Sequence, residues 1–221
     1  MVRLPTFIFI VLVLLSNACS RNEPNTGKHK ASEDKAAVAV ERLPPEVQRK
    51  ELDIPGRRGL RSEGPHTDWF FHCYTNFAYT LTDEQKSGTG TTVRITITKV
   101  NIKITLPIVM WIPKNAAQKV IDHEKGHVRI CTRIYENAES AARDAATRVV
   151  GSNFQGQGDT VEAAYVEAVN KAAEEVCTTY RKNTADKADG VSKIYDDLTA
   201  GSTTLMSVDR SIDEAFNRFL R

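Results

Sequence analysis

The stretch Asp122-His123-Glu124-Lys125-Gly126-His127 has the pattern H-E-x-x-H and decides how the rest of the chain is interpreted. In an α-helix, two residues four positions apart lie on one face, about 6 Å apart along the axis. Both imidazoles can therefore reach one ion, and zinc accepts histidine nitrogens as ligands. Glu124 lies about 100° round the helix from His123, beside the ligands. We predict a zinc site with His123 and His127 as ligands and Glu124 as general base.

A helical apolar period begins near Asn115 and includes this stretch. Apolar and small residues recur every three or four positions until about Gly151, as on the buried face of one long amphipathic helix. On a helical wheel, His123 and His127 point the same way as this stripe, so we expect the ligands to face the interior. A buried histidine pair with ordinary hydrogen bonds would give the same pattern.

Two further helices are predicted after this one. The residues Asp159-Thr160-Val161-Glu162 have the composition of a capping box, and apolar residues follow at helical spacing as far as Tyr180. The preceding segment, Gly151 to Gly158, is predicted to be a loop. The many alanines on both long helices predict close antiparallel packing. A short amphipathic helix is predicted over about Asp209 to Leu220.

Upstream of the helices, two segments have the composition and alternation of β-strands. From Trp69 to Leu81, apolar and polar side chains alternate, as in a half-buried strand. The segment Val93 to Leu106 is rich in Ile, Val and Thr. Its apolar phase changes from odd to even positions, which predicts a β-bulge near Thr98-Lys99. The predicted fold is therefore α+β, with a small twisted antiparallel sheet packed on the long helix and on a second, antiparallel helix.

The N-terminal residues have the pattern of an export signal. A short positive start, Met1-Val2-Arg3, precedes an apolar run from Leu4 to Leu15 and a small-residue cleavage site at Ser16-Asn17-Ala18. Cys19 follows directly, as in a bacterial lipoprotein whose cysteine is acylated; simple secretion is the alternative. We therefore expect the mature chain in the bacterial cell envelope, lipid-anchored in the periplasm or at the outer membrane, or else secreted.

These patterns divide the chain into four segments. Residues 1–18 form the signal peptide. Residues 19–65 are polar and rich in proline, so they are predicted to form a tether or irregular lead-in, with one short helical piece over Ala36 to Arg42. Residues 66–205 form the main domain, and residues 206–221 form the C-terminal amphipathic helix.

Charge and cysteine content limit the partners and the covalent links. The formal net charge is +2, without a dense run of Lys and Arg. No nucleic-acid partner is therefore expected, and the membrane is contacted only through the N-terminal lipid. Cys131 and Cys177 lie near the inner faces of two predicted helices and are the first candidate disulfide. Cys73 with either of them is the competing pair.

The order of these features resembles the bacterial family named domain of unknown function 922, described as predicted secreted zinc-dependent proteases. The resemblance covers about residues 66–203 and consists of the aromatic strand at Trp69, the strand into Leu106-Pro107, the H-E-x-G-H helix and the segment Tyr195-Asp196-x-x-Thr199. It implies a zincin-like fold, a zinc cofactor and peptide or protein substrates. In that family the last segment continues to a histidine suited to be the third ligand. This chain has Gly201 there, and no histidine follows the H-E-x-G-H helix.

Four carboxylates are candidates for the third ligand, which a catalytic zinc site normally requires. Glu162 and Glu175 border the inward face of the predicted second helix, whereas Asp196 and Asp197 lie in the segment that resembles the family motif. For each of them alone, a solvated surface charge is the more ordinary interpretation.

Together these residues predict an exported zinc metallopeptidase. Zinc would polarise the peptide carbonyl, Glu124 would act as general base, and Tyr195 would donate to the oxyanion, with simple packing as the alternative for this tyrosine. By analogy with zincin-like folds, the strand Val93 to Leu106 would hold the substrate backbone. Two other hypotheses stay open. One is a degenerate, non-catalytic zincin-like lipoprotein acting as a binding or structural module of the cell envelope; the other is a helical lipoprotein in which the motif is accidental.

Overall fold

The computed structural model describes residues 37–52, 64–88, 90–199 and 206–221, all of which lie within one compact unit, Lys35–Arg221. The predicted signal peptide and lipidation site, residues 1–18 and Cys19, lie outside the described residues. No helix in the described part of the chain is long and apolar enough to cross a membrane. In chain order the elements are β1 (Val38–Arg42), β2 (Glu46–Glu51), β3 (His66–Trp69), β4 (His72–Ser87), β5 (Gly90–Thr105), β6 (Pro107–Ile112), α1 (Gln118–Tyr135), α2 (Ala138–Val149), β7 (Asn153–Gly158), α3 (Val161–Asn183), α4 (Ala185–Thr199) and α5 (Val208–Phe219).

The first sheet is built round β5. Strand β5 is antiparallel to β4, with which it pairs along its whole length, and antiparallel to β7 near the start of β5. Near the end of β5 it pairs with β1 in parallel orientation. The predicted bulge is confirmed, because Ala78 pairs with Lys99 and Tyr79 with Ile97, which leaves Thr98 as the extra residue. The bulge restores the phase, so the apolar side chains on both sides of it face the core: Val93, Ile95, Ile97, Val100, Ile102 and Ile104.

The second sheet brings β3 to the candidate site. Its strand order is β2-β6-β3, with β2 parallel and β3 antiparallel to β6. β3 also contacts α1, the helix that carries the H-E-x-x-H motif. The predicted α+β class is confirmed. Both sheets are mixed rather than purely antiparallel, because β1 and β2 each pair in parallel with a neighbour.

The prediction of an irregular lead-in over residues 19–65 is wrong where the structure describes it, because β1 and β2 lie there. The helical piece predicted to end at Arg42 is a strand. Val38 and Val40 pack against the core, while Ala39 between them faces outward. A five-residue strand is too short to separate its period from a helical one, and its partner on β5 is about sixty residues away in the sequence.

The long helix predicted from Asn115 to Gly151 is two helices. α1 ends at Tyr135 and α2 begins at Ala138, with Asn137 between them in a non-helical conformation. The buried Tyr135 hydroxyl donates to the backbone carbonyls of Leu43 and Ile104, which attaches the end of α1 to the lead-in and to β5. Asparagine favours helix ends over helix interiors, and the break lets α2 pack on β1, β5 and α3.

The predicted helix start is confirmed, with Thr160 as the N-cap, because its side chain accepts a hydrogen bond from the Ala163 amide. The full capping box is not formed, since the third helical residue is alanine and not Glu or Gln. The predicted loop before it is wrong, since residues 153–158 form β7. Two glycines allow β7 to lie directly on α3. A Cβ at Gly156 would lie 1.9 Å from the Ala164 carbonyl oxygen, and a Cβ at Gly158 would lie 2.6 Å from the Ala163 Cβ. The helix predicted near the C-terminus is present as α5.

The disulfide joins Cys73 on β4 to Cys177 on α3, whose Cα atoms are 5.7 Å apart. The predicted pair Cys131–Cys177 is therefore wrong, and the competing pairing is the correct one. α3 packs on β4 as well as on β5, which brings Cys177 to Cys73. Cys131 is a free thiol, fully buried in the core on α1.

Candidate metal centre

His123 and His127 lie one turn apart on α1 and share a target on α4. Their rings are nearly perpendicular, with an interplanar angle of 84° and centroids 5.1 Å apart. The Nε2 atoms lie 3.3 Å (His123) and 3.0 Å (His127) from one oxygen, Oδ1 of Asp196. The three potential ligand atoms lie within 4.8 Å of one another. Among the described residues, His123, His127 and Asp196 form a group of side chains that could hold a metal ion. The predicted interior placement of both histidines is confirmed, since their side chains are 14% and 7% exposed.

Asp196 belongs to this group, whereas the other three candidate carboxylates do not. Glu162, Glu175 and Asp197 are exposed and lie outside it. No helix was predicted for the segment that contains Asp196, but it forms helix α4, which packs on α1. The sequence signal for this position was the pattern Tyr-Asp-x-x-Thr. This pattern identified the segment but did not decide between Asp196 and Asp197 as the ligand.

Tyr195 packs between the two histidines. Its ring is stacked on His123, with centroids 5.1 Å apart and an interplanar angle of 21°, and it meets the edge of His127 at 5.2 Å. The hydroxyl donates to the backbone carbonyl of His123 at 3.3 Å. Burial, together with the negative charges of Asp196 and Glu124, raises the pKa of Tyr195 to about 12. The Tyr195 hydroxyl is therefore neutral and donates its hydrogen bond to the backbone of α1. Its predicted donation to an oxyanion stays a prediction.

Gly126 gives Tyr195 the space that it occupies. A Cβ at this position would lie 2.2 Å from the Tyr195 hydroxyl oxygen and 2.5 Å from the ring carbon Cζ. Non-bonded carbon and oxygen atoms do not approach each other this closely, so only glycine at residue 126 allows the Tyr195 ring to lie against the helix. The sequence showed the glycine inside the motif but gave no reason for it, because the tyrosine is 69 positions further along the chain.

Thr199, one turn after Tyr195 on α4, orients the ring of His123. Its hydroxyl donates to the Tyr195 carbonyl at 2.8 Å and lies 3.2 Å from His123 Nδ1. Because the hydroxyl hydrogen is directed at the carbonyl, the oxygen accepts from Nδ1–H. With a proton on Nδ1, a deprotonated Nε2 of His123 would offer its lone pair to a metal ion on the side of Asp196. Metal-binding histidines are commonly oriented in this way through their second nitrogen. Thr199 belongs to the segment Tyr195-Asp196-x-x-Thr199, but sequence analysis missed this role.

His127 is held by aromatic packing instead. The indole of Trp69, on β3, is stacked on its ring at a centroid distance of 5.8 Å. The indole nitrogen donates to Oδ1 of Asp189 at 2.9 Å, which links β3 to α4 across the histidine. Nδ1 of His127 is buried and has no hydrogen-bond partner within the described residues. His127 is therefore fixed between Trp69 and Tyr195.

Glu124 is buried beside the ligands, with 4% of its surface exposed. The Thr67 hydroxyl on β3 donates to Oε2 of Glu124 at 2.8 Å and also lies 3.4 Å from the Glu124 backbone carbonyl. A buried carboxylate needs such a partner, because leaving it unpaired costs several kcal/mol. Thr67 thereby orients the predicted general base, and it is a second residue that sequence analysis missed.

The donor set fits a divalent cation. Burial raises the pKa of the Asp196 carboxyl, but hydrogen bonds and charge interactions with His123 and His127 outweigh this effect and hold the pKa well below its usual range. The carboxylate is therefore ionised, and each Nε2 faces it as an N–H donor; a divalent cation would take the place of those protons and receive the Nε2 lone pairs instead. Two imidazoles and a carboxylate suit zinc and also other divalent transition metals.

No family model, no curated protein and no solved structure matches this chain.

Proposed function

We propose that this chain is an exported zinc-dependent metallopeptidase. The observation that carries the proposal is the convergence of His123, His127 and Asp196, with Glu124 buried directly beside them on α1. Two histidines, a carboxylate and an adjacent glutamate are the parts that peptide hydrolysis at a zinc ion requires. The proposed resemblance to the domain of unknown function 922 group agrees with this assignment.

The chain's own residues would divide the work as follows. Zinc, when bound by the two Nε2 atoms and the Asp196 carboxylate, would polarise the scissile carbonyl and lower the pKa of water. Glu124 would accept a proton from that water and return it to the leaving amine. Thr67 would hold the Glu124 carboxylate in one orientation through Oε2. Tyr195 and Trp69 would keep bulk water away from the buried faces of the histidine rings.

The strand that would align a substrate is β3. The segment Val93 to Leu106, assigned this role by analogy, corresponds to β5, which is paired on both sides and has no free edge there. β3 is the end strand of its sheet, pairs with β6, and lies beside α1. An extended peptide could add to such an edge through backbone hydrogen bonds. Peptide or protein substrates are therefore proposed to lie along His66–Trp69.

Two observations support the peptidase over the alternatives. The non-catalytic hypothesis was based on a missing third ligand, and Asp196 supplies a carboxylate in that role. The accidental-motif hypothesis provides no reason for Thr199, Tyr195 and Trp69 to orient the two histidines. The disulfide between Cys73 and Cys177 agrees with the proposed export, because disulfides persist in oxidising compartments.

The test is cleavage of a peptide library by the zinc-loaded full chain, followed by mass spectrometry. Glu124→Gln keeps the shape of the side chain but cannot accept a proton, so cleavage should fall by about 10²–10⁴-fold while zinc stays bound. Glu175→Gln, on the exposed face of α3, is the matched control and should cleave like the wild type. Equal cleavage by Glu124→Gln and wild type, or no cleavage by the zinc-loaded wild type, would contradict the proposal.

A further inference from the structure

The contact between Gly126 on α1 and Tyr195 on α4 lies directly beside the candidate ligands. We propose that these two residues are positioning residues, and that their contact determines whether the third ligand reaches the histidine pair. This inference depends on the metal site of the proposed function but not on peptidase activity. Helix α1 alone carries two of the three ligands, and α4 adds the third when Tyr195 lies over Gly126.

The geometry gives this contact little tolerance. Tyr195 is fully buried, and any side chain at residue 126 would overlap its hydroxyl and ring, at 2.2 Å and 2.5 Å from an added Cβ. Buried interfaces of this density cannot absorb an extra methyl group without moving one of the two elements. α4 would therefore shift away from α1, and the residues on either side of the contact would shift with it.

Three groups on α4 depend on the same docking. Tyr195 supplies the ring stacked on His123, Asp196 supplies the carboxylate at 3.0 and 3.3 Å from the two Nε2 atoms, and Thr199 supplies the acceptor for His123 Nδ1. Metal ligands tolerate displacements of only about 0.5 Å. A shift of α4 by the amount that an added methyl group requires would separate Asp196 from both histidines.

The conformation of Gly126 supports packing as its purpose. It lies inside α1 and is not among the described glycines with positive φ, which are Gly88 and Gly151. Its backbone conformation is therefore open to any residue, and glycine in a helix interior is unfavourable compared with alanine. Close approach of Tyr195 is the feature of the structure that requires glycine at this position.

Gly190 provides a matched control on the same helix. A Cβ there would lie 2.3 Å from Cε2 of Phe219, whose side chain is partly exposed at the end of α5. Gly190→Ala therefore adds the same methyl group to α4 at its contact with α5, and this contact involves none of the candidate ligands.

The experiment is a zinc titration of the metal-stripped full chain by calorimetry, with the visible spectrum of bound Co²⁺ as a second readout of the ligand set. Circular dichroism verifies that each variant is folded. Gly126→Ala should bind zinc about 10–100-fold more weakly than wild type, which is the loss typical when a ligand's supporting contacts are disturbed. Its Co²⁺ spectrum should change, whereas Gly190→Ala should match the wild type in both readouts. Equal affinity in Gly126→Ala and wild type, or equal losses in both glycine variants, would overturn the inference.

A second pair of variants keeps the test decisive if Gly126→Ala folds poorly. Tyr195→Leu shortens the side chain that faces residue 126, so Tyr195→Leu and the double variant Gly126→Ala/Tyr195→Leu should bind zinc with similar affinity. A loss of about 10–100-fold on adding alanine to the Tyr195→Leu chain would overturn the inference, because the clash with tyrosine would not be its cause. A wild-type chain that binds no zinc would instead contradict the proposed metal site itself.

Discussion

Helices α1 and α4 contribute to the candidate centre in opposite ways. α1 provides His123 and His127 through local spacing, since residues four apart on any helix share a face. α4 provides Asp196 with two supporting groups, and it does so only because it docks on α1. The comparison shows that half of this site is a property of one short stretch, whereas the other half is a property of the fold.

The difference extends to how each histidine is held. Helix α4 fixes His123 through a hydrogen bond from its Nδ1 to Thr199 and through stacking with Tyr195. His127 is fixed mainly by rings, with Trp69 of β3 on one side. The two histidines of the motif therefore share Tyr195 but differ in their other support, and substitutions of Thr199 and Trp69 should separate their contributions.

The largest expected effect comes from removing the ligand on α4. Asp196→Ala leaves the H-E-x-x-H helix intact but should weaken zinc binding by more than about 100-fold, beyond the loss typical of an outer hydrogen bond. Calorimetric titration of the metal-stripped full chain measures this effect, and Asp197→Ala, the exposed neighbour, is the control. Wild-type affinity in Asp196→Ala would mean that α1 binds the metal without α4, and the comparison between the helices would fail.

A smaller effect is expected from Thr67, which supports Glu124 from the side of β3. Thr67→Val removes the donor to a buried carboxylate, so the free energy of unfolding should fall by about 1.5–3 kcal/mol. Zinc affinity should change little, because Thr67 contacts no ligand in the described structure. Urea denaturation measures the loss, with Thr147→Val on the exposed face of α2 as control. Unchanged stability in Thr67→Val would show that Glu124 does not depend on this hydrogen bond.

The smallest effect is expected from Thr199. Thr199→Val keeps the shape of the side chain but removes the acceptor for His123 Nδ1–H, so zinc affinity should fall by about tenfold. Histidine ¹⁵N chemical shifts should also show a change in the tautomer of His123 while His127 is unaffected. A change confined to His127, or none in either ring, would contradict the separate roles assigned to the two histidines.

Local patterns predicted the parts of the fold that are local. The H-E-x-x-H spacing, the helix start at Thr160 and the phase change at Thr98 each occupy a few adjacent residues, and each is found as predicted. The α+β class followed from the same kind of pattern. These features needed no knowledge of which distant segments meet.

Features that depend on distant contacts were predicted wrongly or left open. β1 and β2 are short and are stabilised by parallel partners about sixty residues away. The pairing of Cys177 with Cys73 follows from the position of α3 on β4, which no spacing encodes. Asp196 could not be separated from Asp197, Glu162 and Glu175, because proximity to the two histidines of α1 decides between them and depends on how α4 packs on α1.

The most direct test of the metal centre is anomalous X-ray diffraction at the zinc absorption edge from crystals of the zinc-loaded chain. We expect one strong anomalous peak per chain, about 2.0–2.2 Å from Nε2 of His123, Nε2 of His127 and a carboxylate oxygen of Asp196. A peak bound elsewhere, or no peak between the two histidines at saturating zinc, would contradict the account.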